Sequence, residues 1–227
     1  MQKDYEYYFN RMPGRDPWRN NLIYTSLISN DKKTFCKWFY NDPKYHKNQN
    51  EVVDPALMTD KFEREVRMLT KVYDNFPQHV PEILDIDYSS QKIFLKVDGD
   101  DFWQRSLTDS CSYDDILVDW QEQMIDIIQA HKSLGLYKYS MHPSSYFIVN
   151  GKLKSINYFF CYHKDEGPIR ICDHSSHIYH TRQDEMKKYI TDLGIGWDSP
   201  EPLNVLEKLC WNSFRSHYPE EFINRVI

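Results

Sequence analysis

Two consecutive β-rich strings separated by a polar turn are the feature that most limits what this chain can become. Leu22 to Ile28 reads LIYTSLI, Ser29-Asn30-Asp31-Lys32 interrupts it, and Thr34 to Tyr40 resumes as TFCKWFY. Branched and aromatic residues flanking a polar tetrapeptide are the mark of an antiparallel hairpin. Upstream, Tyr5 to Met12 is aromatic and extended in character, and Pro13-Gly14-Arg15-Asp16-Pro17 ends it in a turn. Downstream, the polar and aperiodic run from Asn41 to Pro55 reads as an exposed loop.

Helical periodicity then takes over. In Lys61 to Tyr73 the residues Phe62, Val66, Leu69 and Val72 or Tyr73 recur at spacings of three and four, which predicts an amphipathic helix with Glu63, Arg64 and Arg67 largely outward and Thr59 or Asp60 as its cap. Pro77 and Pro81 end it. Glu82 to Tyr88 and Lys92 to Val97 follow as short strands, and Asp98-Gly99-Asp100-Asp101 reads as a hinge-like connector. Tyr113 to Leu134 reads as one long helix with Ile116, Trp120, Met124, Ile127 and Ile128 on one stripe, stopped by Gly135. Two strands, Tyr146 to Val149 and Leu153 to Phe160, flank Asn150-Gly151, a strong hairpin turn. Helices are expected near 182–193, 203–214 and 219–226.

Aromatic residues make up 15% of the 227 residues while glycines number seven. Heavy side-chain packing follows, and a glycine-built phosphate cradle does not. A net charge of -6 offers no overall attraction to nucleic acid or to anionic membranes, both of which need concentrated Lys and Arg. The five cysteines, Cys36, Cys111, Cys161, Cys172 and Cys210, are odd in number and never form a CxxC pair, so they read as reduced thiols in the cytoplasm. No basic segment leads an apolar run at the N-terminus, and no stretch is long and apolar enough to span a bilayer. The expectation is a soluble protein that is not secreted.

Thr34-Phe35-Cys36-Lys37 resembles the strand that carries the ATP-contacting lysine of protein kinases, and Phe62 to Leu69 resembles the helix with its partner glutamate, which places Lys37 and Glu65 at the matching positions. Leu134 to Phe160 is similar to the same family's helix end, catalytic loop, strand pair and metal-binding loop, with Pro143 and Asn150-Gly151 in place. The resemblance runs from about Leu22 to Phe160. It implies an α+β, two-lobed protein-kinase-like fold of the compact kind found in small bacterial or viral kinase-like proteins. Residues 1–97 would form a small β-rich N-lobe with one helix, and residues 98–227 the hinge and a reduced, mainly helical C-lobe, one kinase-like domain overall.

The reactive positions depart from the family. Lys138, Tyr139 and Ser140 stand where His-Arg-Asp would lie, His142 replaces a lysine, Ser145 an asparagine that holds a metal, and Asn157-Tyr158-Phe159 the Asp-Phe-Gly. Phosphoryl transfer works by positioning and by neutralising charge with Mg²⁺, a cation that prefers carboxylate oxygens. Ser140, Ser145 and Asn157 offer neither a base nor an anionic ligand, so the resemblance implies a pseudokinase with no catalytic or metal-binding residues. Such a domain binds a protein partner, requires no cofactor, and takes ATP at most weakly and without Mg²⁺, through Lys37, Glu65 and Arg15 or Arg19. The alternative is a divergent ATP-dependent phosphotransferase using Lys37 and Glu65 with His142 or a hinge aspartate as base.

Other clusters have plainer readings. Asp98, Asp100 and Asp101 could hold a cation or an amine, against a solvated connector; Glu63 competes with Glu65 for Lys37. His174, His177 and His180, with Cys172 or Asp173, have zinc-like spacing, against a polar loop entering a helix. For partner contact the candidate aromatics are Trp18, Tyr137, Tyr139 and Tyr158 to Tyr162. Trp18 and Tyr139 lead because their neighbours are polar, while core packing is the favoured reading for Tyr158 and Phe160.

Overall fold

A computed structural model describes residues 4–8, 25–39, 55–138, 141–159, 161–166 and 215–226. Strands β1 (Tyr5–Tyr7), β2 (Thr25–Ser29), β3 (Thr34–Trp38), β4 (Ile83–Asp87) and β5 (Lys92–Lys96) form a sheet ordered β1-β2-β3-β5-β4. Every neighbouring pair is antiparallel. The β2–β3 hairpin is therefore present as the sequence predicts, with Leu27 opposite Cys36 and Ser26 opposite Lys37.

Helix α1 (Pro55–Asn75) packs against this sheet. Phe62, Val66, Leu69 and Val72 enter a core with Ile28, Phe35, Ile93 and Leu95, and each such side chain withdrawn from water contributes about 1.5–3 kcal/mol. The helix begins before the residue at which the apolar periodicity starts. It also buries more than its apolar stripe: Lys61 and Arg64 are buried, while Glu63 and Arg67 face solvent as expected. Arg64 therefore lies inward, because the stripe Lys61-Arg64-Met68 also meets packed protein.

The hinge-like tetrapeptide is the start of a helix that the sequence hides. Asp101 is fully buried and caps α2 (Phe102–Asp109) by accepting the Gln104 N–H at 2.9 Å. The long helix expected from Tyr113 is two helices, α3 (Tyr113–Ile116) and α4 (Trp120–Ser133). Ser112 and Asp115 form a capping box on α3, and the break lets Tyr113 and Trp120 meet with ring centroids 5.4 Å apart. Trp120 also donates its indole N–H to Asp114 at 2.7 Å.

Gly135 follows α4 with φ +68, and a Cβ there would sit 3.2 Å from the Lys164 side chain. That turn sends the chain into β6 (Leu136–Lys138), which pairs with β9 (Cys161–His163). Between them, β7 (Tyr146–Val149) and β8 (Lys152–Ser155) close a hairpin through Asn150 and Gly151, both at positive φ. The strand expected up to Phe160 stops at Ser155. Helix α5 (Glu220–Val226) completes a second core of Phe102, Trp120, Met124, Ile127, Tyr146, Leu153, Tyr218, Phe222 and Ile223.

The architecture is α+β, with an antiparallel sheet first and helices after it. The sheet's core also takes in Leu136, Phe147, Ile156 and Tyr158. Cys36, Cys111 and Cys161 are free thiols. Among the described residues no helix is long and apolar enough to cross a membrane. The helices expected near 182–193 and 203–214 lie outside the described residues.

Candidate functional site

Lys37 leaves β3 on the side facing α1 and meets Glu65 with Nζ–Oε1 at 2.5 Å, both side chains fully buried. Glu63, the competing partner, is exposed. The second Glu65 oxygen accepts the backbone N–H of Phe159 at 2.6 Å, so one carboxylate ties the strand, the helix and the loop after β8 together. Above the ammonium lie two rings, Phe159 and Phe39, with centroids 5.1 and 5.6 Å from Nζ. Burial draws the Lys37 ammonium down to about 8 and Glu65 opposes that shift. The cation stays charged at neutral pH and faces protein on every side.

The loop before β7 is satisfied within itself. His142 Nδ1 accepts the Ser144 N–H at 3.1 Å and lies 2.8 Å from the Ser144 hydroxyl. A backbone N–H can only donate, so the neutral imidazole carries its proton on Nε2. Trp103 and His217 stand against the same ring, with centroids 4.8 and 4.4 Å away. A histidine held in this way is not arranged to take a proton.

Ser145 and Asn157 face each other. The Asn157 amide donates to Ser145 Oγ at 2.9 Å, and Ser145 is buried. Asn157 sits at φ +69, a left-handed conformation that asparagine tolerates better than most residues. The two positions that the sequence resemblance matches to magnesium ligands present a neutral amide and a hydroxyl bonded to one another. Among the described residues no group of three or more His, Cys, Asp or Glu could hold a metal ion. Between them Ser145 and Asn157 present no anionic oxygen to a cation.

The hinge carboxylates are engaged as well. Asp98 pairs with Lys33, and Asp100 with Lys32 at 2.6 Å. Asp101 accepts the Tyr8 hydroxyl at 2.8 Å and returns its own backbone N–H to that oxygen at 2.7 Å. For Asp101 the solvated-connector reading is corrected: it is a buried cap that ties β1 to α2. Tyr158 is buried, in line with core packing, and Tyr137 is half-buried against the sheet's core, which leaves it little free surface. Arg15, Arg19, Trp18, Tyr139, Ser140, Phe160, Cys172, Asp173, His174, His177 and His180 lie outside the described residues.

Sequence reasoning placed Lys138 at the family's motif but did not foresee its burial, with its ammonium 5.3 and 5.9 Å from the Tyr146 and Tyr158 rings. Beside it the His131 Nε2 and the Tyr158 hydroxyl are 2.9 Å apart, and burial followed by the Lys138 charge holds His131 down to about 3. Nothing in the string Leu-Tyr-Lys distinguishes an inward lysine from a solvated one.

Buried lysines give the fold a pH signature. Burial lowers Lys61 to about 8 and Lys138 to about 7, from an ordinary 10.5, and Lys61 Nζ has no hydrogen-bond partner. From about pH 7 upward the unfolded chain binds more protons at these sites than the folded one, so stability rises with pH. The Cys36 thiol, pushed up to about 12 by burial, acts the other way above its ordinary value of 9. Stability should therefore increase between pH 7 and 9, by about 1–3 kcal/mol per lysine. Thermal melts at the two pH values check this, and Lys61→Met should flatten the slope. A midpoint that falls from pH 7 to pH 9 would contradict it.

No protein-family model matches the chain, and no curated protein is similar to it. Among solved structures it is similar to a co-crystal structure of WbdD and the kinase inhibitor LY294002, at 10% identity and a TM-score of 0.45. The match covers 89% of this chain and 48% of that one, so this chain spans about half the length of its structural neighbour. At that distance neither an activity nor a ligand follows.

Proposed function

We propose that this chain is a kinase-like domain without phosphotransferase activity, a pseudokinase that works in the cytoplasm by binding a protein partner. The observation that carries this reading is the closed Lys37–Glu65–Phe159 arrangement. Its ammonium is paired with a buried carboxylate, flanked by two rings and shut off from solvent, which supports a pair that fixes the shape of the sheet and helix. The neutral Asn157–Ser145 couple supports it further, since it offers a hard cation no anionic oxygen. The acidic net charge speaks for a protein partner over nucleic acid or an anionic membrane.

A divergent phosphotransferase would require the His142 ring to give up its backbone bond, or Asp101 to leave its buried cap, before either could act as base. Incubation with labelled ATP and Mg²⁺ or Mn²⁺, with and without a generic protein acceptor, separates the readings. The expected result is no transfer above a protein-free blank. Sustained metal-dependent transfer, lost in the Lys37→Ala variant, would overturn the proposal.

A further inference from the structure

Three aromatic rings from three places in the chain meet in the buried core where the sheet packs against the β7–β8 hairpin. Phe35 of β3 lies two residues before Lys37 and so points to the same side of the sheet. Its ring is 5.1 Å from Phe147 of β7 and 5.4 Å, edge-on, from Tyr8 at the end of β1. Tyr8 and Phe147 close the triangle at 6.1 Å. All three are buried. The position two before the β3 lysine is alanine in the V-A-I-K pattern of protein kinases; here that small residue is a phenylalanine.

Tyr8 is held as well as packed. Its hydroxyl donates to the Asp101 carboxylate and accepts the Asp101 N–H, while Asp101 itself bridges to Phe147 of β7. Burial, with Asp101 alongside, keeps the phenol well above its ordinary value, so it remains a donor throughout the physiological range. The ring triangle is completed by a side chain whose one polar atom is matched twice.

We propose that Tyr8 and Phe35 occupy the place a nucleotide base would take, and that release of Tyr8 from Asp101 uncovers a site for a planar heteroaromatic ring. This rests on the kinase-like reading of the chain, and it makes Tyr8 an intramolecular occupant of the place of the base. The closed form ignores nucleotides, and a flat ligand gains entry only by displacing Tyr8. Removing a buried ring leaves an apolar cavity of the kind that accepts a flat aromatic guest.

The test is calorimetric titration of the whole chain with adenosine and with ATP, each with and without Mg²⁺, on wild type, Tyr8→Ala and Phe35→Ala. Wild type should show no binding of either probe at millimolar concentration. Each variant that retains its circular dichroism spectrum should take up adenosine at least tenfold more tightly than wild type, with Mg²⁺ making no difference. Micromolar adenosine binding by wild type would overturn the proposal, and that arm stands even where a variant fails to fold. Folded variants that gain no adenosine affinity would overturn it as well. Phosphate transfer is not read in this experiment, so its outcome stands apart from the test of catalytic inactivity.

Discussion

Replacing Glu65 by alanine should cost the protein about 3–5 kcal/mol, the range for removing one partner from a buried ion pair. The Lys37 ammonium would be left fully buried between Phe39 and Phe159 without its carboxylate, and the Phe159 N–H would lose its acceptor. Against a total stability of about 5–15 kcal/mol that is a fifth at the least, visible as a large fall in the denaturation midpoint. The paired replacement Lys37→Met with Glu65→Leu should recover most of the loss, because apolar side chains of similar volume remove the uncompensated charge. A drop below about 1 kcal/mol for Glu65→Ala would show that the pair behaves like a solvated one. The Lys37 ammonium would then be within reach of water and of a phosphate, and the proposed function would fall with it.

Trp120→Ala should be of the same order, about 3–5 kcal/mol, and it strikes the other core. The indole is fully buried, with Phe222, Tyr113, Phe102 and Tyr218 at centroid distances of 4.7, 5.4, 5.7 and 6.0 Å. Truncation opens a cavity among four rings that come from α2, α3, α5 and the segment before α5, none of which can collapse into it without moving the others. Urea denaturation should show a lower midpoint with an unchanged slope. A loss under about 1 kcal/mol would mean that these aromatics repack freely, and that Trp120 is not what joins α4 to the C-terminal helix.

The pair at the centre of the site was legible because its two halves announce themselves locally. Lys37 lies in an obvious strand, Glu65 on an obvious helix, and the hairpin turns between strands carry their own chemistry, as Asn150-Gly151 does at positive φ. What stayed hidden was decided by tertiary contact. Lys61, Arg64 and Lys138 are charged residues drawn inside by packing that no periodicity encodes. The three-residue strands β6 and β9 pair across roughly 20 intervening residues and are too short to show alternation. Asp101 looked like part of an acidic linker because a helix cap and a solvated carboxylate are the same letter. The Tyr8–Asp101 tie spans 93 positions, and neither residue hints at the other.

The closing of the second core by α5 sets an order of events during synthesis. Phe222 and Tyr218, whose hydroxyl donates to the Met141 carbonyl at 2.6 Å, are made roughly 100 residues after Trp120. At about 5–20 residues per second that interval is on the order of 5–20 s. Throughout it, Trp120, Phe102 and Tyr113 leave the ribosome with part of their apolar surface still open to water, whereas β2, β3, α1, β4 and β5 are already complete and free to assemble. The nascent sheet layer can therefore fold early, while the second core keeps an open apolar face until α5 arrives.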